Sequence, residues 1–248
     1  MKVLIALATF NRPIVTQFCL YSLSQLRSCD VRLVVYDDAS TVYDERFLST
    51  YADEVVRFES NGGITRSRAK AVRDFVYRFP DYDLLYMTDN DAFHDPIFVD
   101  SLNHVFTQQA SLGINFPVSL FNTRFHNYPE NIVGENDDFL FTKSIPGISH
   151  CYNREMAEKI CDALNTSPSL EFKYGWDYSF IKVLDCPCLL SKVSLLEHFA
   201  RDKFEGGMHA ANSGLGEIGF ADFERDRAIN PTEFLIANRD LIIRTILK

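Results

Sequence analysis

Several features that mark particular classes of protein are missing from this sequence of 248 residues. No apolar run approaches the roughly 18 residues that a transmembrane helix needs. The 25 basic residues are outnumbered by 34 acidic ones, which disfavours a general binder of nucleic acid or of anionic membranes. Internal repeats, linkers and low-complexity tracts are also missing. We therefore expect one soluble domain with an ample core and no nucleic-acid partner.

Cysteine is sparse, and its spacing differs from that of common metal-binding and redox motifs. The six cysteines include no Cys-x-x-Cys pair, and several lie in apolar periodic segments. We predict reduced, mostly buried thiols in a cytoplasmic protein. The apolar opening Met1–Phe10 is short, has no small-x-small cleavage site and leads into Asn11-Arg12-Pro13. It therefore predicts a first strand better than a signal peptide.

The most informative stretch is a short apolar run that ends in two carboxylates, Asp89 and Asp91. The run is too brief for a helix and predicts a buried parallel strand. Ligands of open α/β sheets gather beyond the carboxyl ends of such strands. Two hard oxygen ligands suit Mg²⁺ or Mn²⁺ better than zinc. The alternative is that both aspartates start a turn and cap the helix after Pro96.

The first ninety or so residues alternate between strand and helix patterns. An α/β fold follows, with a mostly parallel central sheet flanked by helices. The predicted strands are 2–8, 31–36, 55–58 and the run ending at Asp89, and the predicted helices are 13–26 and 64–79.

The second half of the chain is less regular. Residues 118–137 have no clear period and predict an irregular insertion, and Asn153 is a plausible N-cap for a helix over 153–164. Residues 1–200 form the expected domain, and 201–248 a lid loop and a helical tail packed on it. Strands are predicted over 112–116, 139–143, 147–152 and 189–196, and further helices after Asp95-Pro96, over 177–184, and from Asn230 nearly to Lys248.

Polar residues follow several predicted strands. The stretches that carry them and related turns are Ala8–Arg12, Val34–Ser40, Asn61–Gly63 with Arg68, Leu85–Asp91, Gly147–Arg154, and Trp176-Asp177 followed by His198. Together these stretches resemble the family 2 glycosyltransferases of the GT-A fold. The resemblance spans about residues 1–200 and depends on the order and spacing of pieces that are individually common.

This resemblance implies a nucleotide-binding site at the first strand ends. Asp38 matches a carboxylate that accepts a hydrogen bond from a pyrimidine N–H, and Arg68 matches an arginine near the base and phosphates. For Asp37 or Asp38 a helix or turn cap is the alternative, and Arg66 and Arg73 are predicted to lie on a solvated helix face. The implied nucleotide-binding residues are Thr9, Phe10, Asn11, Arg12, Asp38, Gly63, Arg68, Asp89 and Asn90.

The resemblance also implies a divalent cation, Mn²⁺ or Mg²⁺, between the protein and the diphosphate. Asp91 matches the metal-binding aspartate, and Asp89 matches a residue facing the ribose or, through water, the metal. His198 matches a histidine that completes the metal site, although a structural histidine at a strand end is the alternative. His209, in the glycine-rich segment 205–216, is the rival ligand.

Asp177 resembles the catalytic base of the family, with Trp176 in place of the usual preceding glutamate. An inverting displacement needs one carboxylate that takes the proton of the acceptor hydroxyl. A helix N-cap is the alternative role, and the two roles are compatible. Trp176 is also the best candidate for an aromatic platform under an acceptor sugar, ahead of Phe121, Phe125, Tyr128 and Tyr174.

These features imply an inverting transferase that moves a sugar from a nucleoside diphosphate, UDP favoured, to a hydroxyl of a glycan or glycoconjugate. The alternatives are a nucleotidyltransferase, whose usual glycine- and arginine-rich loop is missing after the first strand, and a non-catalytic nucleotide- or carbohydrate-binding protein. A Rossmann dehydrogenase is disfavoured because Gly-x-Gly-x-x-Gly is missing there. The C-terminal helix is expected to pack on the domain or a second subunit, with weak peripheral membrane contact as the alternative.

Overall fold

A computed structural model of the protein describes residues 1–122, 127–167 and 175–198. Strands and helices alternate through the first part of the chain, and short strands are more frequent in the second. In chain order the elements are β1 (Val3–Thr9), α1 (Pro13–Gln25), β2 (Val31–Asp37), α2 (Glu45–Ser49), β3 (Glu54–Arg57), α3 (Ile64–Arg78), β4 (Leu84–Asp89), β5 (Ala92–His94), α4 (Phe98–Leu112), β6 (Val118–Ser119), β7 (Ile132–Glu135), β8 (Phe139–Thr142), β9 (Ser149–Asn153), α5 (Arg154–Thr166), α6 (Trp176–Leu184), β10 (Cys188–Ser191) and β11 (Leu196–His198).

The main sheet has nine strands in the order β3-β2-β1-β4-β9-β6-β10-β8-β7. The block β3-β2-β1-β4 is parallel and holds the longest strand pairings. Beyond β4 the pairing is antiparallel except between β6 and β10. A second sheet pairs β5 with β11. The predicted α/β fold with a central sheet flanked by helices is confirmed.

The core lies around the parallel block because its strands are apolar on both faces. Every residue of β1 is buried, and β2 and β4 each have one partly exposed residue. Strands of this kind need helices on both sides of the sheet, since either face left in water would expose apolar surface. Burial of each large aliphatic side chain stabilises the fold by about 1.5–3 kcal/mol.

Strand register brings distant parts of the chain to one edge of the sheet. Because β9 is antiparallel to β4, with Thr88 opposite Ser149, the start of β9 lies beside the carboxyl end of β4. In the small sheet, His198 is opposite Ala92, the residue after Asp91. Both pairings place residues from beyond position 140 next to the Asp89–Asp91 turn.

Element boundaries in the second half differ from several predictions. The strand predicted over 112–116 is wrong, because α4 extends to Leu112 and ends at Gly113, whose φ of 65° suits a glycine cap. The segment 118–137 contains β6 and β7, and the predicted strand 189–196 is two strands, β10 and β11. The strand β5 was not predicted. The N-cap at Asn153 is confirmed, since its Oδ1 accepts a hydrogen bond from Met156 N at 3.1 Å.

Other predictions fall partly or wholly beyond the described residues. His209, the lid at 205–216 and the C-terminal helix lie outside them, so the division at residue 200 stays a prediction. Across 1–122, 127–167 and 175–198, no helix is long and apolar enough to cross a membrane. The thiols of Cys19, Cys151, Cys161 and Cys188 are buried, as predicted for most of the six.

Candidate active site

The turns after β1 and β2 are held together at their tips. Asn11 N donates to Ser40 Oγ at 2.8 Å, and Asn11 Oδ1 accepts from Thr41 N at 2.9 Å. Asn11, Arg12 and Ala39 have left-handed φ angles of 51°, 59° and 64°. Non-glycine residues adopt this conformation at a cost, and such strained positions cluster at functional sites.

Thr9 and Asn90 extend this network to the turn after β4. The buried amide of Asn90 donates to Thr16 Oγ1 at 2.8 Å and to Thr9 Oγ1 at 3.2 Å. Thr9 Oγ1 also lies 2.6 Å from Tyr43 Oη. These side-chain groups bond one another, while the ring of Phe10 is 43% exposed beside them. The nucleotide contacts predicted for Thr9, Phe10, Asn11 and Asn90 are not tested by this geometry.

Asp38 binds the turn that precedes α3. Its carboxylate accepts hydrogen bonds from Gly62 N at 2.9 Å and Gly63 N at 2.7 Å, and it pairs with Arg66. Gly63 has a φ of 82°, which favours glycine. The solvated face predicted for Arg66 is wrong, because the guanidinium also lies 4.2 Å from the centroid of the Phe58 ring. A hydrogen bond from the N–H group of a nucleotide base to Asp38 would be added to these contacts or would take the place of the Arg66–Asp38 pair.

Asp37 has the turn-capping role that was the alternative for this pair. It accepts from Ser40 N at 3.1 Å and lies 3.2 Å from Arg57. The prediction for Arg73 is also wrong, since it donates to Leu164 O at 3.1 Å and joins α3 to α5. The spacing of basic residues along α3 gave no sign of these partners.

Arg68 is the largest fully buried side chain in the described structure. Its guanidinium donates to Ala6 O in β1 at 3.1 Å and pairs with Asp89 at the end of β4. Burial raises the pKa of the Asp89 carboxyl, opposed by Arg68 and reinforced by Asp91. Arg68 therefore fixes the direction of Asp89 at the carboxyl edge of the sheet.

Asp91 lies between an arginine and a histidine side chain. Its Oδ2 accepts from Arg12 Nη1 at 2.7 Å, and its Oδ1 is 3.4 Å from His198 Nε2. Burial raises the pKa of Asp91, but His198 and Arg12 outweigh burial and hold it well below its usual range. Arg12, predicted as a nucleotide contact, is thus paired with the predicted metal ligand.

The donor set fits a hard divalent cation that is shared with a ligand. Asp91 Oδ1 is buried and has no hydrogen-bond partner among the described residues. The Nε2 atom of the His198 imidazole lies 3.4 Å from it. Within the described ranges, no group of three or more histidine, cysteine, aspartate or glutamate side chains converges. Mg²⁺ commonly takes one or two carboxylates from the protein and the rest of its shell from phosphates and water. Asp91 supplies one such carboxylate, and the His198 imidazole adds a nitrogen donor beside it.

Asp177 lies in the first turn of α6, in space left by two glycines. A Cβ on Gly147 would be 3.0 Å from Asp177 Oδ2, and one on Gly175 would be 2.8 Å from Oδ1. The N-cap of α6 is Gly175, so the capping role considered for Asp177 is wrong. The two glycines around this carboxylate were not identified as site residues from the sequence.

Trp176 is buried and does not present a platform to solvent. Its ring lies 4.9 Å from the Arg68 guanidinium and 4.8 Å from the His150 ring. The platform prediction is therefore wrong for Trp176 and also for Phe121, which is buried against His198 at 5.9 Å. Tyr128 is 43% exposed. Phe125 and Tyr174 lie outside the described residues.

Contacts now connect most of the predicted site. Arg12, Asp91 and His198 form one contact group, and Asp89 with Arg68 lies next to it. Trp176 joins this second pair to Asp177. Asp38 and Gly63 are connected to the group only through the turns after β1 and β2.

Comparison with solved structures places the chain in a known fold. Residues 1–349 of S. aureus TarS in complex with UDP-GlcNAc match with a TM-score of 0.53 and 16% identity, over 77% of this chain and 55% of that one. The mannosyltransferase PcManGT from Pyrobaculum calidifontis, in complex with GDP-Man and Mn²⁺, matches with a TM-score of 0.56 and 18% identity, over 78% and 56%.

The match to TarS 1–349 without a named ligand covers 57% of that chain, so this protein spans a little over half the length of such neighbours. No family model and no curated protein matches by sequence. At these identities the similarity establishes the fold, which is GT-A-like.

Proposed function

We propose that the protein is a glycosyltransferase that moves a sugar from a nucleoside diphosphate to a hydroxyl group of a glycan or glycoconjugate. The observation that carries this proposal is the Asp91–His198 pair, whose two atoms lie 3.4 Å apart at the carboxyl edge of a GT-A-like sheet. A second carboxylate, Asp177, follows Trp176, whose ring contacts the Arg68 guanidinium that pairs with Asp89. Because a transferase must stabilise a leaving diphosphate and accept a proton, these two groups supply complementary chemistry.

Asp91 and His198 would hold Mn²⁺ or Mg²⁺, which when bound offsets the charge that develops on the departing diphosphate. Arg12 is the basic side chain best placed to assist, since it is already within 2.7 Å of Asp91. His209 remains the alternative second ligand. The Mn²⁺ in the PcManGT complex supports a divalent ion in general, without fixing which one.

The nucleotide is proposed to lie over the turns after β1 and β2. Asp38 and Gly63 would border the base, while the exposed ring of Phe10 offers an apolar surface for it. Asp89, held by Arg68, would face the ribose. UDP is favoured from the sequence resemblance, although the neighbours carry UDP-GlcNAc in one case and GDP-Man in the other.

Asp177 is proposed as the base because its environment differs from that of Asp91. Arg12 follows β1 on one side of β4, whereas Gly147, at which an added Cβ would lie 3.0 Å from Asp177 Oδ2, precedes β9 on the other. An inverting displacement needs this separation, since the acceptor oxygen attacks the anomeric carbon from the face opposite the leaving diphosphate. The acceptor proton would pass to Asp177, and the bond between the sugar and the diphosphate would break as the new glycosidic bond forms.

Binding and turnover with a nucleotide-sugar panel test the proposal. UDP-, GDP- and dTDP-sugars are added with Mn²⁺ or with EDTA, and thermal unfolding is followed. One nucleotide class should raise the unfolding temperature only with the metal, by several degrees at 100 times its Kd, since that saturation is worth about 2.7 kcal/mol.

The same samples are then followed for slow donor hydrolysis, and the product's anomeric configuration is read by NMR. Inverted product supports the mechanism. Metal-dependent binding with no hydrolysis and no transfer to any glycan would instead indicate the non-catalytic alternative. No stabilisation by any donor would refute the proposal.

A further inference from the structure

The buried contact between Arg68 and Trp176 joins the two sides of the site. Arg68 contacts β1 and β4 through Ala6 O and Asp89, and its guanidinium lies 4.9 Å from the centroid of the Trp176 ring. A cation over an indole face is attracted by the ring quadrupole, and burial strengthens that attraction. The residue after Trp176 is Asp177.

The Trp176 ring is held on its other sides as well. His150 in β9 lies 4.8 Å from it, and Phe180 one turn further along α6 lies 5.6 Å from it. The side chain is only 6% exposed. Three elements, α3, β9 and α6, therefore fix one ring, and the first turn of α6 cannot shift without moving it.

Trp176 is the buried aromatic side chain in the first turn of α6. Its N-cap is Gly175, with no side-chain capping bond, and the φ of Gly175 is 93°. The Asp177 oxygens have little room, because a single Cβ on Gly147 or Gly175 would come within 3.0 Å of them. The direction of the carboxylate therefore depends on where Trp176 holds the backbone.

We propose that Trp176 is a positioning residue that couples occupation of the donor side, through Asp89 and Arg68, to the placement of the Asp177 carboxylate. The inference depends on the proposed transferase function. A ligand that contacts Asp89 alters the pull on the Arg68 guanidinium, and the guanidinium in turn contacts the indole. Trp176 itself touches no reacting atom.

Fluorescence gives a direct test, because Trp176 is the single tryptophan of the chain. The full chain is titrated with UDP and Mn²⁺, and separately with GDP and Mn²⁺, while calorimetry and tryptophan emission are recorded in parallel. Emission should change and saturate at the calorimetric Kd. Binding heat with unchanged emission would overturn the coupling alone, whereas no heat with any nucleotide would overturn the proposed function and the coupling with it.

Kinetics separate positioning from general packing. Trp176→Leu should lower kcat for acceptor-free donor hydrolysis by about 30-fold with the donor KM within about twofold, since small misplacements of a reacting group carry costs of this order. Trp176→Phe, which keeps an aromatic face, should recover most of the loss. The control is Phe98→Leu, a buried ring that packs on Tyr86 and His94.

The control should lower stability to a similar extent and leave kcat within about twofold. Equal kcat losses in Trp176→Leu and Phe98→Leu would overturn the proposal. Should Trp176→Leu fail to fold, the fluorescence titration of the unaltered chain decides the question. In an Asp177→Asn background, Trp176→Leu should have no further effect on kcat, and a fully multiplicative loss would contradict a role through Asp177.

Discussion

The parallel and antiparallel halves of the sheet hold their functional groups by different means. In the parallel half, Asp38, Arg68 and Asn90 are buried, and their polar atoms bond neighbouring strands and turns. In the antiparallel half, Asp177 is partly exposed and occupies space left by Gly147 and Gly175. Hydrogen bonds fix the first set, whereas steric fit fixes the second. Substitutions in the two halves should therefore separate ligand binding from turnover.

Asp91→Ala should have the largest effect. The change leaves Arg12 and His198 facing each other without their shared anion, and it removes the oxygen proposed to bind the metal. We expect metal-dependent nucleotide binding to be undetectable by calorimetry and turnover to fall by more than about 10³-fold. Asp95→Ala, in the turn after β5, is the control. Unchanged metal-dependent nucleotide binding in Asp91→Ala would show that the ligand does not depend on the Asp91–His198 pair.

Asp177→Asn should separate the two halves most clearly. The amide keeps the shape of the side chain but cannot accept a proton, so kcat should fall by about 10²–10⁴-fold. The Kd for the nucleotide with Mn²⁺ should stay within about twofold, because Asp91 and His198 are untouched. Asp185→Asn at the other end of α6 is the matched control. Full activity in Asp177→Asn would show that the base is another residue.

Gly147→Ala tests whether steric fit holds Asp177. The new Cβ would lie 3.0 Å from Oδ2 and displace the carboxylate, so kcat should fall about tenfold while stability changes little. Gly113→Ala is the opposite case, with open space but a φ of 65°. It should cost about 1–2 kcal/mol of stability and leave kcat unchanged. An unchanged kcat in Gly147→Ala with a lowered kcat in Gly113→Ala would argue against steric fit as the means that holds the Asp177 carboxylate.

The smallest effect concerns His94, in the strand pair β5–β11 that joins the halves. Burial lowers the pKa of His94 to about 3, and its Nε2 lies 2.8 Å from Tyr86 Oη. Between about pH 6.5 and 3 the unfolded chain binds a proton that the folded chain does not. Stability should therefore fall as the pH decreases, by up to about 1.4 kcal/mol per pH unit from this residue.

Urea unfolding at pH 7 and pH 5 measures this dependence. His94→Gln should flatten it, and His104→Gln, at an exposed position, should leave it unchanged. If the free energy of unfolding changed equally between pH 7 and pH 5 in the wild type and in His94→Gln, the buried imidazole would not control acid stability.

Much of the parallel half was predictable from sequence because its signals are local. The seven successive buried residues of β1 form an apolar run, and a polar turn marks the end of each parallel strand, so a single sequence reveals both. In the second half, β6 has only two residues and β7 is a short edge strand, so neither produces a pattern long enough to recognise. The resemblance picked out Asp91, Asp177 and His198, although their roles are still predictions.

Contacts between distant side chains were not predictable. Nothing in the α3 pattern distinguishes Arg68, which is buried on Trp176, from Arg66, which binds Asp38. Likewise, Gly147 and Gly175 look like ordinary turn glycines until the Asp177 carboxylate is placed between them. Such information depends on how separate segments of the chain pack against one another.

The network around the Asn90 amide has a thermodynamic consequence. This one group bonds Thr9, Thr16 and the Asn11 carbonyl, and Asn11 in turn bonds Ser40 and Thr41, so the turns after β1, β2 and β4 form a single hydrogen-bonded body. Loops bound in this way open together, so their amide protons should exchange at one common rate set by a shared opening. A ligand that enters them loses little affinity to loop ordering, which favours recognition by a rigid surface.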